Sequence, residues 1–475
     1  MKSRKDQVQA YFFVVGRLAA AVTHGRPDVV QAPNRRLNTG TVLGIMLAAL
    51  LMAVFGIYGL FVPGGDNSWR QPGTIVMNKT TGARYVYLDG QLRPVLNYSS
   101  ARLVGGKSGT GAVVSVSQNS LGDTPVGQPI GIVGAPDALP DAGKLKGGPW
   151  TVCVQPDATG TPPGPKVTLL LGPRAGRVLA DRQALLVSTS DGTSFLLWQG
   201  KRHRVAGRAV LQTLGYGDVV PVAVTTAWLN TIPQAQDISV PVTPGIGEPG
   251  PRIDGRPSVV GQVYEVRNPA ISSAQLYLVR QDGIAPLSRT TAALVLAAPS
   301  TRGAYPGEPV APIQVGPAAL SGVAASSGLD LVAGLPPEPP EVVTPTRDSL
   351  ACTRLIPSAT GEMGVVAELL PSASVTAQAV PVAQHVAGST ADLVSIPAGG
   401  GVLARETPAP GAPSGTVYLV TEVGIRYPLA DAEVMGALGY TESSVIRVPA
   451  ELLALLPAGP LLSVAGALQG QAPRP

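Results

Sequence analysis

Residues 101–109, Ala-Arg-Leu-Val-Gly-Gly-Lys-Ser-Gly, come closest in this 475-residue chain to a nucleotide-binding signature. A phosphate loop needs the pattern G-x-x-x-x-G-K-[ST], in which backbone N–H groups cradle phosphates and the lysine meets the terminal one. Gly106, Lys107 and Ser108 fit, but Ala101 stands where the first glycine belongs. The loop must also run from a strand into the N-terminus of a helix, whose dipole holds the anion. Here the segment follows a helical pattern and leads into a strand pattern, TGAVVSVSQ, so it reads as a surface turn. An apolar strand ending in an acid pair, which would hold magnesium, is not found either.

The other chemistry-bearing residues are scattered. His24, His203 and His385 stand apart, so no Cys/His set with metal-ligand spacing exists and no metal is expected. There is no G-x-S-x-G elbow and no close carboxylate pair in a glycosidase context. Arg202 and Arg204 around His203 make a local basic turn, read as facing solvent or a partner. Cys153 and Cys352 are the only two cysteines, so one pairing is possible, and sequence alone leaves it open.

What must position these residues begins with a charged arm. Seven basic groups (Lys2, Arg4, Lys5, Arg17, Arg26, Arg35, Arg36) and two acids (Asp6, Asp28) lie in residues 1–39, which carry the whole net charge of +5. Within the arm, Val8, Tyr11, Phe12, Val15, Leu18, Ala19 and Val22 recur at spacings of three and four, an amphipathic helix that stops at Gly25 and Pro27. Its apolar face suits an anionic lipid surface or a cytoplasmic partner. Residues 40–62 are uncharged. As a helix they span roughly 35 Å, enough to cross a hydrocarbon core of about 30 Å. Arg35 and Arg36 flank the entry, so the positive-inside bias places the N-terminus in the cytoplasm and residues from about 66 outside. There the two cysteines meet an oxidising compartment.

The rest is rich in turn formers, 57 glycines and 47 prolines in the chain, and poor in aromatics interleaved with basic residues, which argues against binding single-stranded nucleic acid. One unit recurs four times: RYVYLDGQLRPVLNYSSARLV at 84–104, TSFLLWQGKRHRVAGRAVLQTLG at 193–215, AQLYLVRQDGIAPLSRTTAALVL at 274–296 and GTVYLVTEVGIRYPLADAEVMGALG at 415–439. Each reads strand–turn–strand–helix, with Gly90, Gly200, Gly283 and Gly424 at the turns. Three copies carry a tail that enters a short helix, at 219–229, 309–320 and 445–456. A second repeat, CVQPDATG followed by KVTLLLGP and CTRLIPSATG followed by EMGVVAELLP, supplies core strands. The simplest account is a duplication whose equivalent strands meet at a pseudo-two-fold axis and bring the cysteines together. The fold expected is an N-terminal cytoplasmic amphipathic helix, one transmembrane helix, then an elongated, β-rich α+β extracytoplasmic domain of four repeats around a central β core. Its parts are the arm (1–39), the membrane helix (40–62), a connector (63–83), repeat 1 (84–145), core segment a (146–180), repeat 2 (181–235), a Pro/Gly-rich linker (236–260), repeat 3 (261–332), a Pro-rich linker with core segment b (333–385), repeat 4 (386–460) and a tail (461–475).

The block SW-x-x-PGTIVMNKTTGARYVYLDGQLRPVLNYSSARL, preceded by QVQAYFFVVGRLAAAV and a helix ending in VPGG and followed by GAPDALP, resembles the EccB family of actinobacterial type VII (ESX) secretion systems. The resemblance spans essentially the whole chain. It implies four repeats on a disulfide-tied core, with Cys153 and Cys352 at the matching places. It also implies a hexameric inner-membrane assembly with EccC, EccD and EccE beside a mycosin protease. Some members are described as ATPases, a label that Ala101 does not support, and no cofactor is expected. The leading expectation is a structural subunit organising the periplasmic side of the export complex. An extracytoplasmic ATPase in the same system and a cell-envelope binding module are the alternatives.

Overall fold

The computed structural model describes residues 4–25, 34–61, 67–108, 111–156, 164–268, 273–328, 330–357, 363–407 and 415–470, without the side chains of 24, 34–36, 59–61 and 107–108. The chain forms two compact units, one of Met1–Arg70, Met77–Ala83 and Val114–Thr124, the other of Gln71–Val76, Arg84–Val113 and Pro125–Pro475.

In the first unit, α1 (Arg4–His24) and α2 (Asn34–Phe61) are long helices. The amphipathic pattern of the arm accounts for α1, and Tyr11, Phe12, Phe13, Leu18 and Val22 on it lie bare. Among the described residues, one span, Leu37–Tyr58, is long and apolar enough to cross a membrane, and none of it is buried. The helix starts six residues earlier than Gly40, so Arg35 and Arg36 lie in its first turn; their side chains, like residue 62, fall outside the description. Past the helix, the buried Trp69 donates its indole N–H to Ser120 Oγ (3.2 Å), and Asn78 Nδ2 donates to Gln118 Oε1 (2.5 Å).

Beyond the two long helices the chain is β-rich. A first small sheet has the order β3-β2-β1-β4, from β1 (Ile75–Asn78), β2 (Arg84–Leu88), β3 (Gln91–Pro94) and β4 (Val113–Val116), with α3 (Tyr98–Ser108) between β3 and β4 and α4 (Gln118–Leu121) after it. Next come β5 (Trp150–Gln155), β6 (Lys166–Leu171) and β7 (Arg177–Val178). A second small sheet has the path β10-β9-β8-β11, from β8 (Gln183–Ser188), β9 (Ser194–Trp198), β10 (Lys201–Arg204) and β11 (Val222–Ala223), with a fifth strand from residues 341–342 also on β8, and with α5 (Arg208–Thr213) and α6 (Thr226–Asn230). A third, β14-β13-β12-β15, takes β12 (Val263–Asn268), β13 (Ser273–Arg280), β14 (Gly283–Leu287) and β15 (Ile313–Val315), with α7 (Arg289–Ala297). Then follow β16 (Glu341–Val342), β17 (Ser349–Pro357), β18 (Met363–Pro371), α8 (Ser372–Thr376), β19 (Val380–Pro381) and β20 (Leu393–Ser395). The fourth small sheet, β23-β22-β21-β24, comes from β21 (Gly401–Thr407), β22 (Val417–Thr421), β23 (Arg426–Pro428) and β24 (Val445–Pro449), with α9 (Ala432–Ala437), α10 (Ala450–Ala454) and α11 (Val464–Leu468).

The four small sheets thus share one strand order, and the second, third and fourth are each a three-stranded antiparallel meander with the last strand parallel to the first. Each also has its outer hairpin strand covered by a returning segment that pairs in parallel at two positions three residues apart. Those positions are Leu92 and Val95, Arg202 and Val205, Ile284 and Leu287, and Arg426 and Leu429. The covering closes an edge that would otherwise invite pairing with another chain.

Several expectations change here. The leading strand of the first sheet, β1, lies within 63–83, the stretch read as a connector. The first copy does carry a tail, β4 with α4. The stretches read as linkers also take part in pairing: Val205 bridges Ile238, and β16 pairs with β8. Gly90 (φ +75°) with Asp89 (+48°) and Gly200 (+71°) with Gln199 (+47°) are two-residue turns with both φ positive, the type I′ geometry that suits a hairpin. Gly283 is not at the apex. It pairs with Arg280 in register, so Gln281–Asp282 make the turn. Its missing Cβ instead makes room for the Ala324 carbonyl.

Candidate functional site

The centre of the β-rich region is a seven-stranded sheet of order β19-β20-β6-β5-β17-β18-β7. Its middle strand, β5, runs antiparallel to the neighbouring β17 with Cys153 opposite Cys352. The two sulfurs are bonded, and the Cα atoms lie 4.0 Å apart. The register continues outward on both sides, Thr168 opposite Cys153 and Glu368 opposite Cys352. Side chains alternate across a strand, so Thr168, Cys153, Cys352 and Glu368 form one row on one face. The other face carries Trp150, Val152, Val154, Leu169, Leu171, Ala351 and Leu355 into the largest core, where Trp228 of α6 and Leu452 and Leu453 of α10 meet them. Trp228 donates its indole N–H to the Val152 carbonyl (2.9 Å).

Glu368 is a charged side chain in an apolar place, 1% exposed. Its Oε2 accepts from Arg354 Nε at 3.1 Å, while Oε1 is buried without a partner. Burial pushes its carboxyl pKa up, and the Arg354 guanidinium opposes that shift. The sequence carried a signal for it, a lone acid within the apolar run GVVAELLP.

Two lobes flank the central sheet. In one, Ile75, Val86, Ala101 and Leu103 from the first sheet region share a core with Leu403, Leu419, Tyr427, Val434 and Leu438 from the fourth. In the other, Ala184, Leu186, Val210 and Leu214 from the second share a core with Leu294 and Leu335, which come from α7 and the segment before β16. Tyr440 donates its hydroxyl to the Pro140 carbonyl (2.8 Å), and Tyr216 donates to the Pro340 carbonyl (2.8 Å). Both phenols are buried, which raises their pKa far above the usual tyrosine value. The hairpin tips of the second and fourth sheets press on the central sheet. A Cβ at Gly200 would collide with the Val365 carbonyl on β18, and one at Gly424 would come within 2.7 Å of Val394 Cγ1 on β20.

The segment that resembled a phosphate loop has a different setting. Gly106, Lys107 and Ser108 form the last residues of α3, not a surface turn. The end of a helix presents carbonyls and negative partial charge, the opposite of what holds an anion. At Gly106 an added Cβ would lie 2.8 Å from Ala437 Cβ, so the bare glycine lets α3 and α9 approach closely. His203 is likewise relocated. It lies in β10 and is 1% exposed, with Nδ1 2.8 Å from the Gln236 carbonyl and Nε2 buried without a partner. Burial lowers its pKa. Its neighbour Arg202 donates to Asn230 Oδ1 (2.7 Å). His385 Nε2 lies 3.4 Å from Asp392 Oδ1, and Asp392 Oδ2 accepts from the Val167 N–H (2.7 Å). Among the described residues, no group of three or more His, Cys, Asp or Glu side chains could hold a metal ion.

The family described as "Type VII secretion system ESX-1, transport TM domain B" matches residues 2–473. The chain belongs to the EccB family. It is 30% identical over 487 residues to a Mycolicibacterium smegmatis protein named ESX-3 secretion system ATPase EccB3, covering 98% of this chain and 90% of that one. It is 30% identical over 480 residues to ESX-1 secretion system ATPase EccB1 of Mycobacterium tuberculosis, covering 98% and 94%. Among solved structures, a chain of an intact ESX-5 inner membrane complex aligns with TM-score 0.71 and 26% identity, over 100% of this chain and 96% of that one. A chain of the EccB3 dimer from the ESX-3 core complex aligns with TM-score 0.69 and 29% identity, over 83% and 99%. EccB chains of known structure are thus components of ESX inner-membrane complexes, and this chain shares their fold.

Proposed function

We propose that this chain is a structural, non-catalytic subunit of a type VII secretion inner-membrane complex, which it anchors and organises on the periplasmic side for protein export. The observation that carries the reading is a contrast in how apolar surface is used. The faces of α1 and α2 are bare, as suits elements made for lipid or partner subunits, while the β-rich region closes its cores internally. In this reading the arm ahead of Leu37 stays in the cytoplasm, Leu37–Tyr58 spans the membrane, and residues from about 66 lie outside. The four like-ordered sheets are copies of one duplicated unit, set about a pseudo-two-fold axis through Cys153 and Cys352. The offset of 199 residues between the cysteines supports this, as does the equal spacing of Gly200 and Tyr216 from Gly424 and Tyr440. The partners are EccC, EccD and EccE, further copies of this chain in a hexameric arrangement, a mycosin protease and membrane lipid. The chain works without a nucleotide or other cofactor.

The experiment is to remove the coding sequence and run the solubilised partner subunits on a native gel. The large complex should give way to smaller species and return when the gene is restored. A complex of unchanged size and composition in its absence would refute the reading.

A further inference from the structure

Neither lobe is made by one half of the chain. Residues 71–243 supply the first sheet and strands β8–β11 of the second, residues 244–470 the third and fourth, yet the first sheet shares a core with the fourth, and the second shares one with Leu294 of α7 and Leu335, while the strands of the third close their own cores within the second half. The crossing is repeated in detail. After the first sheet the chain runs through Pro140, which accepts from Tyr440, to Leu145, which bridges Gly401 at the start of β21. After the third it runs through Pro340, which accepts from Tyr216, to β16, which pairs with β8. Each crossing segment then enters the central sheet, as β5 and as β17, where the two halves pair a third time. The join between the halves falls between Ile238 and Gly247. Ile238 closes β10 within the first half, Gly247 bonds to Val260 within the second, and Val242 between them is 84% exposed.

We infer that the two halves are obligate binding partners, each supplying residues to a core in both lobes, so that a cut in the linker leaves one particle and neither lobe can finish folding before the second half exists. The inference rests on these contacts and not on the role in secretion. Loss of the disulfide does not release the halves, because the lobe cores and the β5–β17 pairing hold them.

The test uses the full detergent-solubilised chain with a protease site inserted after Val242, in a Cys153→Ala, Cys352→Ala background that removes the covalent tie. After cutting, both fragments should elute together at the volume of the uncut chain and part only in denaturant. Fragments that elute separately in native buffer would overturn the inference. Should the cysteine-free chain fail to fold, the cut, disulfide-bonded chain is titrated with urea instead. One transition, reported alike by tryptophan fluorescence and by amide exchange in both halves, is then expected, and two separate transitions, one per half, would overturn it.

Discussion

Tyr440 donates its hydroxyl to the carbonyl of Pro140, a residue 300 positions earlier in the chain, at 2.8 Å. Tyr216 and Pro340 repeat the contact in the other lobe at the same distance. Each bond satisfies a buried phenol and a carbonyl on a segment about to enter the central sheet, so it fixes where that segment crosses.

Replacing either tyrosine by phenylalanine leaves the ring's packing and strands a buried carbonyl, at a cost of about 1–3 kcal/mol. Urea melts should show that loss for Tyr216→Phe and for Tyr440→Phe. Hydrogen exchange should also speed up at residues 130–146 in Tyr440→Phe, although those residues lie in the opposite half. A change confined to residues near 440 would contradict the crossing contact.

The disulfide closes a loop of about 200 residues, and chain-entropy reasoning gives it roughly 3–5 kcal/mol. Thermal melting of the Cys153→Ala, Cys352→Ala chain should show a drop of that order with secondary structure retained. A thiol assay on the denatured, non-reduced wild type should find no free cysteine.

Glu368 should make stability depend on pH in an unusual sense. Burial raises its folded pKa above the ordinary value near 4.5, so the folded state holds the proton more tightly. That contribution is present at low pH and is lost as pH rises from about 4.5 through the folded pKa. Glu368→Gln should therefore be at least as stable as wild type at neutral pH, the difference shrinking as the solution is acidified. Arg354→Met leaves a buried acid without its cation and should cost about 3–5 kcal/mol at neutral pH. A Gln variant much weaker than wild type at pH 7 would contradict this account.

His203 works in the other direction. Its pKa is lowered by burial, so below about 6.5 the unfolded chain takes up a proton that the folded chain resists. Stability should fall as pH drops through that range, and His203→Gln should flatten the slope. An unchanged slope in denaturant midpoints between pH 7 and 5 would refute the assignment.

Gly106 offers a direct contrast between helix packing and phosphate binding. Gly106→Val forces a side chain between α3 and α9 and should lower stability by about 1–3 kcal/mol. A variant as stable as wild type would show that the close approach is not needed.

Much of this was readable from local pattern. The uncharged run before Pro63, the glycines at 90, 200 and 424, and the cysteines each impose a local constraint strong enough to survive folding. What escaped is non-local. The leading strands IVMN, QALLVS, VYEVRN and GVLARET carry no common turn signal, and IVMN and the middle of QALLVS are mostly buried, which blurs alternation. The returning segments pair at only two positions each, too few to leave a strand-like run. The basic turn of Arg202 and Arg204 read as facing solvent or a partner, yet a strand sends neighbours to opposite faces and His203 between them goes inward. The partnership of the first sheet with the fourth is separated by some 300 residues and leaves no mark in any window.

The proposed role of this chain is that of a structural part of an export complex. The measurement that tests it most directly is affinity purification of the tagged, full-length chain from membranes that also contain EccC, EccD and EccE, followed by sizing and subunit identification. The prediction is a particle far larger than the 48.4 kDa monomer that contains those subunits and more than one copy of this chain. A monomer that never co-elutes with them would contradict it.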